Sequence, residues 1–303
     1  MIELEDTTAA EISSAFGRQR TWSGSPVMGM VMTLVVVTPE DHAEQAMRDA
    51  QEASHEHPAR VLGIILGKAS GPPRVDAQIG IGAGWSGEMA LIKLSGAVVH
   101  HDESVVLPLL LPDSPVVVWW PVDPPKDPAA DRLGALAQRR ITDAAAVTRG
   151  HRKALLHQCT AYTSGNTDLA WTRLTPWRAL LAAALDQFPE KVTAASVTGE
   201  RVSPSADLMA AWLSDRLKVD VERHGSQGPG LTEVVLTTRA GDVRLSRHDG
   251  VHAVISSPGA PDRPIALPRR EVPALLTEEL RRLDEDEVYA RTVAHLLELE
   301  EQK

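Results

Sequence analysis

The chain has 303 residues, 43% of them apolar, and a formal net charge of −10. That length suits two hydrophobic cores better than one. The acidic balance argues against non-specific binding to nucleic acid or an anionic membrane, which would both repel it. No basic run forms a nucleic-acid stripe, no apolar run reaches the ~20 residues that span a bilayer, and the single cysteine, Cys159, rules out an intramolecular disulfide. The segment Met1 to Asp6 is acidic and lacks the basic-then-apolar pattern of a signal peptide, so the expectation is a cytoplasmic protein.

In chain order, Val31 to Val37 is a continuous apolar run, as in a strand covered on both faces. A helix is predicted to open at Thr38-Pro39, with Thr38 as N-cap and Pro39 at its first position. Its small or apolar positions are Ala43, Ala46, Met47 and Ala50. The strand Val61 to Leu66 follows, and this β–α–β order implies a parallel pair with a right-handed crossover. Val75 to Ile81 and Glu88 to Leu94 alternate like two arms of an antiparallel hairpin. Their glycine-rich link, Gly82-Ala83-Gly84-Trp85-Ser86-Gly87, matches G-x-G-x-x-G in form. A dinucleotide fingerprint would have to open a helix, whereas this link leads into a strand-like segment, so it reads as a hairpin turn.

A helix through His101 to Leu107, a buried strand Val116 to Trp120, a loop at Pro124 to Pro128, a helix Ala129 to Arg139 and a short strand Ile141-Thr142 complete the first half. A helix is also expected at His151 to Cys159; in the second half, helices are expected from Thr175 (as cap) with Pro176 and at Ser205 to Leu217. Strands are expected at Val192 to Val197, at Val219 to Val221, and as two or three segments between Thr232 and Ser256. The acidic stretch Glu271 to Glu301 reads as helical. The expected class is α/β with two α/β domains, 1–165 and 166–303, the first a mixed, doubly wound sheet with an antiparallel hairpin.

Several residue groups bear on chemistry. His55-Glu56-His57 and His100-His101-Asp102-Glu103 lack the spacing of a zinc site, and no metal is expected. Cys159 has no charged activator nearby beyond His157 and reads as an inert buried thiol. Ser203, Ser205, Asp207 and His224 lack a G-x-S-x-G elbow and read as a loop and helix cap. The strongest group is a Trp/Arg/Asp constellation: Arg60, Trp120, Arg140, Asp143, Asp168, Trp171, Arg173, Trp177 and Arg178. Trp and Arg are enriched at binding hot spots, and Asp143 and Asp168 are placed to pair with the arginines. Two readings of the set stand at this point. It is an internal polar network that fixes the two domains, or it lines a crevice at the strand carboxyl ends, where Trp120-Pro121 emerges, and there takes a phosphorylated ligand or a partner loop.

The same motifs carry a resemblance. Val116-Val117-Val118-Trp119-Trp120-Pro121, Arg139-Arg140-Ile141-Thr142-Asp143 and Asp168-Leu169-Ala170-Trp171-Thr172-Arg173 with Trp177-Arg178 resemble the glucose-6-phosphate dehydrogenase assembly protein family (OpcA). His57-Pro58-Ala59-Arg60, with Ala59 in place of the usual Ser, and Ser104 to Asp113 are similar to two further family segments. The resemblance runs from about Leu4 to Leu297. It implies a non-catalytic protein without a cofactor that binds glucose-6-phosphate dehydrogenase and promotes its active oligomer or conformation. Some photosynthetic relatives are linked to redox control through cysteines, a pattern the lone Cys159 departs from. The alternative is a sugar-phosphate-binding domain or enzyme, which a catalytic dyad at the strand ends would favour. A folding chaperone is a third reading, and the Met-rich apolar stretch of a general client groove is missing from the sequence.

Overall fold

The computed structural model describes residues 2–23, 29–81 and 87–302. The elements run β1 (Ile2–Leu4), α1 (Ala9–Ser23), β2 (Met32–Thr38), α2 (Glu40–Ala53), β3 (Ala59–Leu66), β4 (Arg74–Ile81), β5 (Glu88–Ser95), α3 (Asp102–Val106), β6 (Val116–Trp119) and β7 (Arg139–Thr142). They continue with α4 (His151–Thr160), β8 (Asn166–Asp168), α5 (Leu169–Thr172), α6 (Thr175–Gln187), β9 (Val192–Glu200), α7 (Pro204–Leu217) and β10 (Val221–Ser226). The last are β11 (Leu231–Thr238), β12 (Gly241–Ser246), β13 (His252–Ser256), β14 (Arg263–Ala266), α8 (Val272–Arg281) and α9 (Glu287–Glu301).

Two compact units result. The first comprises Met1–Asp143, Gly165–Thr167 and Val272–Asp284; the second comprises Ala144–Ser164, Asp168–Glu271 and Glu285–Lys303. The first unit holds an eight-stranded sheet in the order β1-β4-β5-β3-β2-β6-β7-β8. Strands β5, β3, β2, β6 and β7 are mutually parallel, while β4 runs antiparallel to β5 and β1 antiparallel to β4. Counted from the first parallel strand, the order is third, second, first, fourth, fifth, so the sheet reverses direction of growth between β2 and β6.

Helices cover both faces of this sheet. Leu62 and Ile64 join Ile12 and Phe16 of α1 in one apolar cluster. Gly63 between them faces the other way, against α2, where a Cβ would lie 2.4 Å from the Met47 sulfur. The glycine is therefore what lets α2 sit close. The doubly wound class and the hairpin are as the sequence implies; the turn 82–86 lies outside the described residues.

Three local expectations in the first unit are corrected. Thr38 ends β2 and Pro39 is the N-cap of α2, with no side-chain cap bond. Ala129 to Arg139 is no α-helix but a loop with a 3₁₀ turn at Gly134–Leu136. There the Asp127 carboxylate accepts from the Ala129 and Ala130 amides, and that of Asp131 from Leu133 and Gly134, which diverts the backbone from a helical ladder. The helix near His101 is the short α3 between two 3₁₀ turns, interrupted at Pro108.

The second unit holds a six-stranded sheet, β10-β9-β11-β12-β13-β14. Only β10 and β9 pair in parallel, joined through α7; the rest is an antiparallel meander, longer by β14 than the sequence implied. Its core gathers Trp171, Trp177, Leu208, Met209, Leu213, Val234, Leu236, Tyr289 and Val293. Thr175 is the first residue of α6 rather than its cap, which is Leu174. Among the described residues no helix is long and apolar enough to cross a membrane.

Candidate functional site

The Trp/Arg/Asp constellation divides between the units. In the first, Arg60 on β3 lies beside Glu88 on β5, its register partner. Its Nε donates to Glu88 Oε2 at 2.7 Å and its terminal NH1 to the Leu109 carbonyl at 2.6 Å, while the guanidinium covers the Phe16 ring at 5.0 Å. A buried guanidinium needs such a set of acceptors, and Arg60 is only 7% exposed. Arg140 on β7 donates from Nε to Asn166 Oδ1 at 2.5 Å and from NH1 to the Ala137 carbonyl at 2.6 Å. Burial pushes its pKa down. Arg139, the neighbouring residue, pairs with Glu279 of α8 and donates to the Asp284 carbonyl. Asp143 is buried at the end of β7.

In the second unit, Asp168 caps α5 by accepting from the Ala170 amide at 2.8 Å, and it also accepts from the Ala144 amide at 3.0 Å. Trp171 is 1% exposed; its Nε1 donates to Asp286 Oδ2 at 2.8 Å. The Arg178 guanidinium stacks over the Trp171 ring at 3.7 Å, and Tyr289 packs against that ring with centroids 5.5 Å apart. Trp177 is buried with the Arg247 guanidinium over it at 5.0 Å. Arg173 and Arg178 alone of the nine positions keep partial exposure.

A crevice of about 410 Å³ does open at the carboxyl ends of β2 and β6, where the sheet reverses. It is lined by Thr38, Pro39, Leu66, Trp120 and Val122 together with Asp102, Asp123 and Asp131. This is where doubly wound proteins place ligands, but its chemistry does not suit the phosphates of a dinucleotide. The helix that should receive them, α2, opens with Pro39, which has no amide proton, and carries Glu40 and Asp41 in its first turn. Asp102 is already paired with Arg132 at 2.8 Å. Burial, with Asp102 adding to it, raises the pKa of Asp131 despite two backbone amides that favour its charge.

A second cavity, of about 320 Å³, lies wholly within the second unit. Its lining includes Arg173, Arg247, Arg269 and Arg270, with Glu200 as its one carboxylate. Sequence reading found only Arg173 of these. The signals were Pro268-Arg269-Arg270 after β14 and Arg247 after β12, cationic steps in loops of an acidic chain.

The would-be hydrolase set is taken up by structure. Ser203 caps α7, accepting from the Ala206 amide; Ser205 donates to the Ala170 carbonyl; Asp207 pairs with Arg152 and Arg223; and His224 is an exposed neighbour of Glu222. Cys159 is buried, and burial drives its thiol pKa far up. Among the described residues no group of three His, Cys, Asp or Glu side chains is disposed to hold a metal ion.

The geometry defines a two-unit α/β protein in which seven of the nine constellation residues are buried. Residues 50–159 match the family described as the glucose-6-phosphate dehydrogenase subunit N-terminal domain, and residues 164–293 match that of its C-terminal domain. The chain belongs to this glucose-6-phosphate dehydrogenase subunit family, OpcA. A relative, the putative OxPP cycle protein OpcA of Synechocystis sp. (strain ATCC 27184 / PCC 6803 / Kazusa), is 30% identical over 139 residues, which are 43% of this chain and 29% of that protein. The aligned segment is thus less than a third of the relative's length. Two solved structures show a distant likeness. KijD10, a 3-ketoreductase from Actinomadura kijaniata, has 11% identity and a TM-score of 0.48, over 88% of this chain and 95% of that one. An oxidoreductase from Sinorhizobium meliloti has 10% identity and a TM-score of 0.42, over 87% and 86%. Likenesses this weak carry no argument about activity.

Proposed function

We propose that this protein is a non-catalytic assembly factor that binds glucose-6-phosphate dehydrogenase and favours its active oligomer or conformation, thereby supporting NADPH production in the oxidative pentose phosphate pathway. The observation that carries the reading is the succession of both subunit domains along the chain, at 50–159 and 164–293. It gains support from the site chemistry. The hydroxyls and carboxylates of the second unit that could form a hydrolytic set are engaged in caps and ion pairs, and the acidic mouth of the first unit's sheet opposes a nucleotide's phosphates.

Seven of the nine constellation residues are buried, so their part in the contact is to hold its frame. Arg173 and Arg178, half-buried, are the two we assign to touch the enzyme. An activator must bind the active form better than the inactive one, because equal affinity shifts nothing. A preference of ~1–3 kcal/mol raises activity by roughly 5- to 150-fold where the inactive form dominates.

The test mixes the purified chain with the dehydrogenase of the same cell and reads NADPH formation together with co-elution on size exclusion. Co-elution with a raised rate is expected. Separate elution with an unchanged rate removes the assembly reading. Turnover of a sugar phosphate by this chain alone would replace it with an enzymatic one.

A further inference from the structure

The cavity of the second unit has a predominantly cationic lining. Its four guanidinium-bearing residues come from three places in the sequence: Arg173 after α5, Arg247 after β12, and Arg269 with Arg270 after β14. They face one lining carboxylate, Glu200, in a chain whose net charge is −10. Local charge here opposes the charge of the whole, which is how a site concentrates an anion that the rest of the surface repels.

The helices add to this field. His151 opens α4, Pro176 and Trp177 stand in the first turn of α6, and Ser203, Pro204 and Ser205 form the cap and first turn of α7; all line the cavity. Three helices of ten or more residues thus bring their positive ends to one space.

The independent observation is Arg247. It is 6% exposed, the most buried of the four arginines of this cavity. Its NH1 donates to the Leu267 carbonyl at 2.9 Å and its NH2 to the Leu231 carbonyl at 3.3 Å, and Trp177 supports its face. Its Nε–H is buried without an acceptor. Among the described residues no carboxylate pairs with Arg247, and burial together with the charge of Arg269 works against its protonated form. A guanidinium held this way is costly unless an anion completes it. Arg269 stands exposed at the same cavity, its backbone amide fixed to the Gly250 carbonyl at 3.0 Å.

We propose that this cavity binds a phosphorylated small molecule of sugar-phosphate size, with Arg247 and Arg269 as its principal contacts to the phosphoryl group. Planar guanidinia match phosphate oxygens in pairs. A cavity of about 320 Å³ suits a compact ligand. The site lies in the second unit, whereas the acidic crevice beside Trp120 belongs to the first. It stands or falls independently of the partner reading, because binding is read on this chain alone.

The experiment is calorimetric titration of the full chain with inorganic phosphate, with glucose 6-phosphate and with glucose. Two variants accompany it: Arg269→Glu, an exposed charge reversal, and Val202→Glu, which sets a carboxylate at the cavity from an exposed position. Thermal melting without ligand selects the variants that remain folded. Binding of either phosphorylated probe but not of glucose, weakened at least about tenfold in each folded variant, is the expected result. No heat from either phosphorylated probe at millimolar concentration overturns the proposal, as does binding that both folded variants leave unchanged.

Discussion

Arg60 and Glu88 are neighbours on adjacent parallel strands, both nearly sealed from solvent. Truncating one partner strips a buried charge of its counter-ion, which costs more than the pair itself contributes. Arg60→Ala is expected to destabilise the first unit by about 3–5 kcal/mol, read as a lowered denaturation midpoint of that unit. Replacing both residues with Met and Leu should recover most of the loss, since a packed apolar pair avoids the desolvation cost. An Arg60→Ala protein as stable as the parent would mean the pair is solvated. Asp131 supplies the acid-range prediction. Its folded pKa lies above the ordinary 3.8, chiefly through burial. The folded state therefore holds this proton more tightly than the unfolded chain does. That contribution is fully present below the unfolded value and is lost as pH rises through the folded one. Asp131→Asn keeps an oxygen for the Leu133 and Gly134 amides and removes the titration. The stability gap between variant and parent should then move in the variant's favour as pH climbs from below 3.8 to neutrality. A gap that is constant with pH contradicts this. At this scale the sequence was partly legible. The Trp and Arg positions stood out, and pairing of the arginines was foreseeable, but their partners were not. Glu88 and Glu279 lie far along the chain from Arg60 and Arg139, and only the sheet register and the return of α8 bring them together.

Elements were read best where periodicity was strong and worst where side chains compete for the backbone. The apolar runs of β2, β3 and β6 and the stripe of α6 were plain in the sequence. The stretch after Pro128 was not, because Asp127 and Asp131 satisfy amides that a helix would use. A single carboxylate can also hold several elements, as Asp286 does. Its Oδ1 accepts from the Val288 and Tyr289 amides to cap α9, and its Oδ2 accepts from Trp171 Nε1 of α5. Asp286→Ala loses the cap and leaves the buried indole without its acceptor. The expected cost is about 2–3 kcal/mol, the sum of a cap and an unsatisfied buried donor. Asp286→Asn retains both oxygen roles only in part and should cost less than half as much. Denaturant unfolding followed by Trp fluorescence measures both, and equal effects of Ala and Asn would remove the cap from the account.

At the level of the whole chain, the acidic C-terminal stretch is two helices with different allegiances. Helix α8 belongs to the first unit, where it packs on α2, supplies Glu279 to Arg139 and ties Arg281 to Glu56. Helix α9 belongs to the second, against α7 and α4, with Glu300 paired to Arg152. Periodicity announces both helices, but it is silent on which core each one covers, because an apolar stripe fits any complementary face. The consequence is specific. A chain ending at Glu271 loses a layer from both units, although the deletion looks like the trimming of one acidic tail. In the first unit the buried guanidinium of Arg139 is left without Glu279 and without the Asp284 carbonyl. Backbone amide exchange in α2 and β7 should therefore accelerate together with that in α7, by about two orders of magnitude or more for a local loss near 3 kcal/mol. A chain ending at Asp284 restores α8 alone and should return protection to α2 and β7 while α7 stays open. If exchange in 40–53 is the same with and without residues 272–284, α8 does not hold the first unit, and its packing on α2 is incidental to stability.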